Sequence, residues 1–281
     1  MNTETRNRNS IDSLLTDLRE RLAQPGGSLL PLLTTMSRFS KYSLANQMLI
    51  FGQRPDATCV MGYRSWLKAG YQVRRGEKGI AIYAPMRFTR EDPGTLEVNV
   101  HTGFRVAYVF DLAQVDPLPG TDPALIAPTA AGSSDAHRCL EQLKVFLFGH
   151  NVELEYKLLS AGLMGYTDGR RITCALDQPA HVEFATLAHE TTHLLLHFDR
   201  SGSGSRPDLT TRETEAEAVT FLLCAQLGLD GVNASVDYIR SYRGTSETLD
   251  ASLERIRATA VRLSAEINAI TFDVAAATEL G

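Results

Sequence analysis

Cysteine is scarce and scattered in this 281-residue chain: Cys59, Cys139, Cys174 and Cys224 stand at least 35 positions apart. With no C-x-x-C pair, a zinc ribbon and a dense disulfide framework are excluded, and a reducing cytoplasm suits the four thiols. Long apolar runs are missing as well. Nowhere do about 18 apolar residues follow one another, as a membrane-crossing helix requires, and residues 1–15 lack the apolar core of a secretory leader. The chain is therefore expected to be soluble and cytoplasmic, with no membrane partner. No internal repeat is present. A general excess of basic charge is also lacking: the formal net charge is −5 and the sequence pI about 5.8. That sum hides a polarity, because residues 37–105 carry eleven Lys or Arg against five Asp or Glu, a local +6, and the rest of the chain carries −11.

What is present divides into two parts. Apolar positions at helical spacing, with Ser10 as a candidate N-cap, predict a helix over 10–23, ended by Pro25, Gly26 and Gly27. A second helix is expected over 42–51 and a short one around Tyr63, Trp66 and Leu67, closed by Gly70. Residues 74–79 read as a basic, glycine-flanked turn. Runs rich in β-branched and aromatic residues predict strands over 80–84, 96–100 and 104–110. Residues 116–135 shift to Pro, Gly, Ala, Ser and Thr, the chemistry of a linker. Beyond it, helices are expected over 137–148, 184–197, 211–227 and 247–267, and strands over 152–158 and 171–175.

The third of these helices from the end holds the run His189-Glu190-Thr191-Thr192-His193. Residues four apart share a helix face, so His189 and His193 can offer two imidazole nitrogens to one Zn2+, with Glu190 beside the open coordination position. Zinc lowers the pKa of a bound water to about 7, and the neighbouring glutamate can take its proton during attack on a carbonyl. The apolar flanks of this helix predict that it sits in a core, where three such polar groups are costly without a metal. A third ligand is needed. His197 lies on the same face but one turn too far along a straight helix, and is read as a surface residue or a support for a ligand. On the following helix Glu213 and Glu217 share a face, whereas Glu215 points roughly 160–200° away. Glu213 is assigned as ligand, Glu217 as the acceptor that holds one histidine in its tautomer, and Glu215 is kept as the alternative ligand.

H-E-x-x-H followed about twenty residues later by E-x-E-A-[DNE] resembles the glutamate-zincins, including the ImmA/IrrE family of bacterial peptidases. The resemblance covers roughly residues 152–228. It implies Glu213 as ligand and Glu217 as support, with Glu217 departing from the commoner Asp or Asn. A second resemblance rests on residues 42–47, Trp66, residues 73–79 and Val109-Phe110-Asp111. These are similar to the ArdC-type antirestriction proteins of plasmids and other mobile elements. That family couples an N-terminal single-stranded-DNA-binding domain to a C-terminal metallopeptidase-like domain.

The residues of the first part suit such a ligand. Single strands are held by cations along the phosphates and by aromatic rings against the bases. Arg64, Lys68, Arg74, Arg75, Lys78 and Arg87 are interleaved with Tyr42, Tyr63, Trp66, Tyr71 and Tyr83, while Asn46 and Gln47 can reach phosphates or base edges. No base-reading helix-turn-helix is seen, so binding is expected to be sequence-independent and salt-sensitive. The whole reads as an α+β chain: an N-terminal α+β single-stranded-DNA-binding domain over 1–120, a linker over 121–135, and a zincin-like, glutamate-zincin domain over 136–281. The function expected is an antirestriction-type zinc metalloendopeptidase acting on a protein substrate. The alternative is an IrrE-like regulatory peptidase that cleaves a repressor, its N-terminal domain binding protein.

Overall fold

A computed structural model describes residues 3–24, 29–91, 98–121, 135–198, 207–229 and 246–271. It is a mixed α+β structure of two compact units, residues 1–22 with 41–128 and residues 23–40 with 129–281. Residues 23–40, placed in the first domain from sequence, thus pack with the second unit. No helix among the described residues is long and apolar enough to cross a membrane.

In the first unit, helix α1 (Thr3–Ala23) begins earlier than Ser10 and buries Ile11, Leu15, Leu18 and Leu22 along one face. Helix α3 (Leu44–Gln53) starts where the Ser43 hydroxyl accepts from the Asn46 amide, at 3.4 Å, and buries Met48, Leu49 and Ile50. Strand β1 (Val60–Gly62), β3 (Ile80–Glu91) and β4 (Val98–Asp111) form an antiparallel sheet in the order β1-β4-β3. The two strands expected over 96–100 and 104–110 are one, β4, paired with a β3 longer than expected; Leu96 lies outside the described residues. Strand alternation sends Ile80, Ile82 and Val109 into the core and turns Phe104 and Tyr108 to the opposite face, 57% and 47% exposed.

Helix α4 (Tyr63–Lys68) leads into β2 (Tyr71–Val73), which pairs with β5 (Val115–Pro117). Trp66, Tyr71, Val73 and Val115 make a small core there. The first residues of the expected linker are therefore strand and turn, and Thr121 donates its hydroxyl to the Gly70 carbonyl at 2.7 Å. Residues 122–134 lie outside the described residues.

The outer edge of β3 is closed by side chains. The Asn46 amide donates to the Tyr83 carbonyl and accepts from the Tyr83 N–H, both at 2.9 Å, and Gln53 does the same at Ala81, also at 2.9 Å. Two carboxamides seven residues apart on α3 thus replace a neighbouring strand. Replacing Asn46 by alanine is expected to lower stability by about 1–3 kcal/mol, the cost of leaving two backbone groups unsatisfied. Chemical denaturation of the full chain measures it, and an unchanged midpoint would remove this role.

In the second unit, α2 (Leu30–Arg38), with Pro31 in its first turn, lies on α7 (Leu209–Leu227) and buries Leu32, Leu33 and Met36. Helices α5 (Ala136–Gly149), α6 (Ala180–Leu196) and α8 (Ser246–Ala269) complete the helical layer, contributing Leu143, Phe184, Leu187, Leu249 and Leu253 to the core. Strands β6 (Glu153–Lys157), β7 (Gly165–Thr167) and β8 (Arg171–Ala175) form a sheet ordered β6-β8-β7, with β6 parallel and β7 antiparallel to β8. Asp208 caps α7 through the Thr211 amide at 3.0 Å, and Gly228 ends it at φ 67°. All four cysteines are free.

Candidate metal centre and first-unit surface

Helices α6 and α7 lie side by side, and their facing residues converge. His189 and His193, one turn apart, bring their Nε2 atoms to 3.0 Å. Glu213 reaches in from α7, with Oε2 3.3 Å from His189 Nε2 and Oε1 3.5 Å from His193 Nε2. Donors around a tetrahedral ion with bonds of about 2.0–2.2 Å stand roughly 3.3–3.6 Å apart; the two spacings to Glu213 match this and the 3.0 Å between the histidines is slightly tighter, so the three groups can share a divalent cation after a small outward shift of one ring. Among the described residues they form the one such cluster. Helix geometry explains the selection: Glu213 and Glu217 project from one face of α7, and Glu217 Oε1 stands 3.6 Å from His189 Nδ1.

The electrostatics agree with a site made for a cation. Hydrogen bonds to His189 and His193 hold the Glu213 carboxyl well below the usual carboxylate range, outweighing its partial burial. Burial works to lower His189, but the hydrogen bond to Glu213 and the charges of Glu217 and Glu190 raise it above an ordinary imidazole. Glu190 is buried beside the cluster, and this burial, with the Glu213 charge, raises its pKa against the pull of the two histidines. Thr191 and Thr192 fill the intervening motif positions and donate their hydroxyls to the Leu187 and Ala188 carbonyls, at 2.6 and 2.9 Å. A Cβ at Gly165 would lie 2.6 Å from Thr186 Cγ2 and 3.6 Å from Glu190 Cγ. Glycine thus lets β7 run tight against α6 beside Glu190.

Two open readings narrow here. Of the two places expected for His197, the surface is excluded and the one behind a ligand-type histidine remains: it is fully buried, its Nδ1 2.8 Å from His193 Nδ1. Glu215 is turned away from the cluster and accepts from His197 Nε2 at 3.0 Å, which leaves Glu213 alone with the two ligand-type histidines. Burial works to raise the Glu215 pKa, but hydrogen bonds from His197, Arg255 and Ser252 bring it below the ordinary value.

The residues expected to contact nucleic acid fall into two sets. Trp66 is 0% exposed and donates its indole N–H to the Phe110 carbonyl at 2.8 Å, so no ring face is open to a base. Gln47 is wholly buried, and the Asn46 amide is committed to β3. Tyr42 is half-buried, its hydroxyl donating to the Val60 carbonyl at 3.4 Å. Arg74 is taken up by Glu77, 3.0 Å away, by Asp116, 3.2 Å away, and by the Ala113 carbonyl. Its guanidinium secures the turn from β2 to β3, where Gly76 sits at φ 89°, a conformation that glycine adopts without strain.

The Val-Phe-Asp stretch is structural as well. Asp111 accepts from the Thr58, Cys59 and Ala113 amides, at 2.7, 3.1 and 2.9 Å. Gln114 donates to Glu77 and to the Lys78 carbonyl, at 2.9 and 2.8 Å. Arg64, Lys68, Arg75 and Lys78 are exposed, as is Arg74, which differs in being tied to Glu77 and Asp116. Of the rings expected from sequence Tyr63 is exposed, and sequence reasoning overlooked two more, Phe104 and Tyr108. Tyr63 and Arg75 line an open cleft of about 900 Å³ that Phe110 also borders. Tyr108 and Phe104 follow on the outward face of β4, with Arg87 on the same face across from Thr102. The alternation of residues 104, 106, 108 and 110 was the available signal.

The chain is similar to several known proteins. Residues 9–110 match the family model of the N-terminal domain of anti-restriction factor ArdC. The crystal structure of the antirestriction ArdC protein from plasmid R388, in its metal-free form, is similar over 94% of this chain and 98% of that one, with 20% identity and a TM-score of 0.54. Its Mn(II)-bound form gives 18% identity and a TM-score of 0.48 over the same shares. An uncharacterized protein of Bacillus anthracis is 25% identical over 292 aligned positions, covering 89% of this chain. This chain spans about half the length of that relative, 49%.

Proposed function

From a chain whose residues 9–110 match the family model of the ArdC N-terminal domain, we infer an antirestriction-type protein that joins single-stranded DNA binding in its first unit to a zinc-dependent peptidase centre in its second. The convergence of His189, His193 and Glu213 beside the buried Glu190 carboxylate carries this reading. A set of two histidines and one glutamate suits zinc with one coordination place left open. Zinc held there supplies a Lewis acid for a carbonyl oxygen and a water whose pKa falls to about 7. Glu190 is the proton carrier: burial raises its pKa toward the range in which a carboxylate both accepts a proton and returns it to a leaving amine. Glu217 faces His189 Nδ1 and orients that ring. Strand β7, an edge strand of its sheet, presents backbone beside Glu190, an arrangement that an extended peptide can join.

For DNA, the face supported best is the outward side of β4 with the adjoining cleft. Tyr63, Tyr108 and Phe104 offer stacking platforms, and Arg64, Lys68, Arg75, Lys78 and Arg87 offer exposed cations. Nothing here reads base edges, so affinity is expected to be sequence-independent. Fluorescence anisotropy with the full chain at 50 and 200 mM salt, alongside zinc stoichiometry, tests both halves. Tight, salt-sensitive binding of single strands is expected, with Tyr108→Ala weakening it by about 1–3 kcal/mol. Arg75→Ala with Lys78→Ala should flatten the salt dependence by roughly two charges. Unchanged affinity in both variants would take this face out of the DNA site.

A further inference from the structure

Behind His193 lies a line of buried polar contacts that metal binding alone does not require. His197 Nδ1 stands 2.8 Å from His193 Nδ1, and His197 Nε2 stands 3.0 Å from Glu215 Oε2. Both side chains are fully buried. The other oxygen of Glu215, Oε1, accepts from the Ser252 hydroxyl at 2.6 Å and from the Arg255 guanidinium. The line therefore begins on α8, passes through the carboxylate of α7 that faces away from the cluster, and ends on a histidine of the cluster.

Its direction follows from proton counting. A neutral imidazole carries one N–H. If His193 Nε2, the atom facing His189 and Glu213, is to be a lone pair, the proton must sit on Nδ1 and be donated to His197 Nδ1. His197 then carries its own proton on Nε2 and donates it to Glu215. Glu215, with two donors already on its far oxygen, can only accept. Because Arg255 can only donate and Glu215 only accept, the end of the line is fixed, and it fixes the direction of both histidine contacts.

We propose that Arg255, Glu215 and His197 are a positioning relay that holds His193 in the tautomer whose Nε2 is free to bind a divalent cation. This rests on the reading of His189, His193 and Glu213 as the ligands, and it carries control of the centre to a helix that supplies none of them. A buried polar cluster that merely ties three helices together would not care which nitrogen bears the proton.

Glu215→Gln separates the two roles. With Arg255 and Ser252 donating to one end, the glutamine must turn its carbonyl oxygen toward them and its NH2 group toward His197. That donor forces the His197 proton onto Nδ1, against the Nδ1–H of His193. Zinc affinity of the full chain, measured by calorimetry, is expected to fall 10–100-fold, the range for losing an outer partner of a ligand. Removing the guanidinium as well, in Glu215→Gln with Arg255→Met, lets the amide turn round, since the Ser252 hydroxyl can accept as readily as donate. Affinity should then recover most of the loss, where a structural role predicts a further decline.

Imidazole nitrogen NMR of the metal-free wild-type chain gives a check that needs no variant: Nδ1–H at His193 and Nε2–H at His197. The opposite tautomers overturn the relay even if Glu215→Gln fails to fold. A wild-type chain that binds zinc while Glu215→Gln binds it equally well overturns the relay alone. A wild-type chain that binds no zinc overturns the ligand reading and the relay with it.

Discussion

Glu213→Gln is expected to leave a folded chain that has lost its zinc, with affinity down by at least about 100-fold, beyond the 10–100-fold typical of outer partners. The amide keeps the shape of the side chain and removes the charge. That charge is what both histidines address, since Glu213 Oε2 lies 3.3 Å from His189 and Oε1 3.5 Å from His193. The same hydrogen bonds keep the carboxyl ionised far below its ordinary range, so at any pH where the imidazoles are neutral it is present as an anion. Metal content by mass spectrometry under native conditions, with circular dichroism to verify folding, decides the matter. One zinc per chain in the variant would show that the third ligand lies elsewhere.

Glu190→Gln should separate binding from chemistry. The residue neighbours the cluster without joining it, so zinc is expected to stay bound at wild-type stoichiometry. Hydrolysis of a peptide substrate should fall by roughly 10²–10⁴, the usual contribution of a positioned acid or base. A glutamine amide can neither take a proton from water nor give one to an amine. Turnover of a fluorogenic peptide library by the two proteins, each loaded with zinc and each stripped by chelator, measures the difference. Equal, zinc-dependent turnover would place the proton carrier at another residue.

The second unit was far more legible in sequence than the first. Helical period alone separates Glu213 and Glu217 from Glu215, and the structure puts the first pair on the histidines and the third behind them. The same arithmetic kept His197 away from the metal but left open whether it faces solvent or backs a ligand, and the structure buries it behind His193. Whether a helix position faces a neighbour or solvent depends on packing partners that lie far off in sequence, here α7 and α8.

In the first unit the stretches that looked functional were those with unusual polar and glycine content. Arg74 and Gln114 are there because the Ala113 and Lys78 carbonyls need donors, Glu77 because it holds both of those side chains, and Asp111 because the Thr58, Cys59 and Ala113 amides need an acceptor. Asn46 reads as a hydrogen-bonding surface group until Gln53, seven residues on, is seen to perform the same task at the next outward position of β3. Trp66 shows the general ambiguity of an aromatic on a short helix: its large apolar area drives it inward before any ligand can use it.

The membership of α2 has a bearing on how the chain is made. Its Leu32, Leu33 and Met36 are covered in the unit that contains α7, a helix that starts at Leu209. During synthesis this segment leaves the ribosome after α1 but ahead of the rest of the first unit, residues 41–128, and must wait for partners more than 170 residues downstream. Closing so long a loop carries an entropic cost that local helices do not face, and it tends to slow folding. The second unit therefore completes itself from both ends of the sequence, and a fragment cut after the first unit would take with it three apolar side chains that belong to the other.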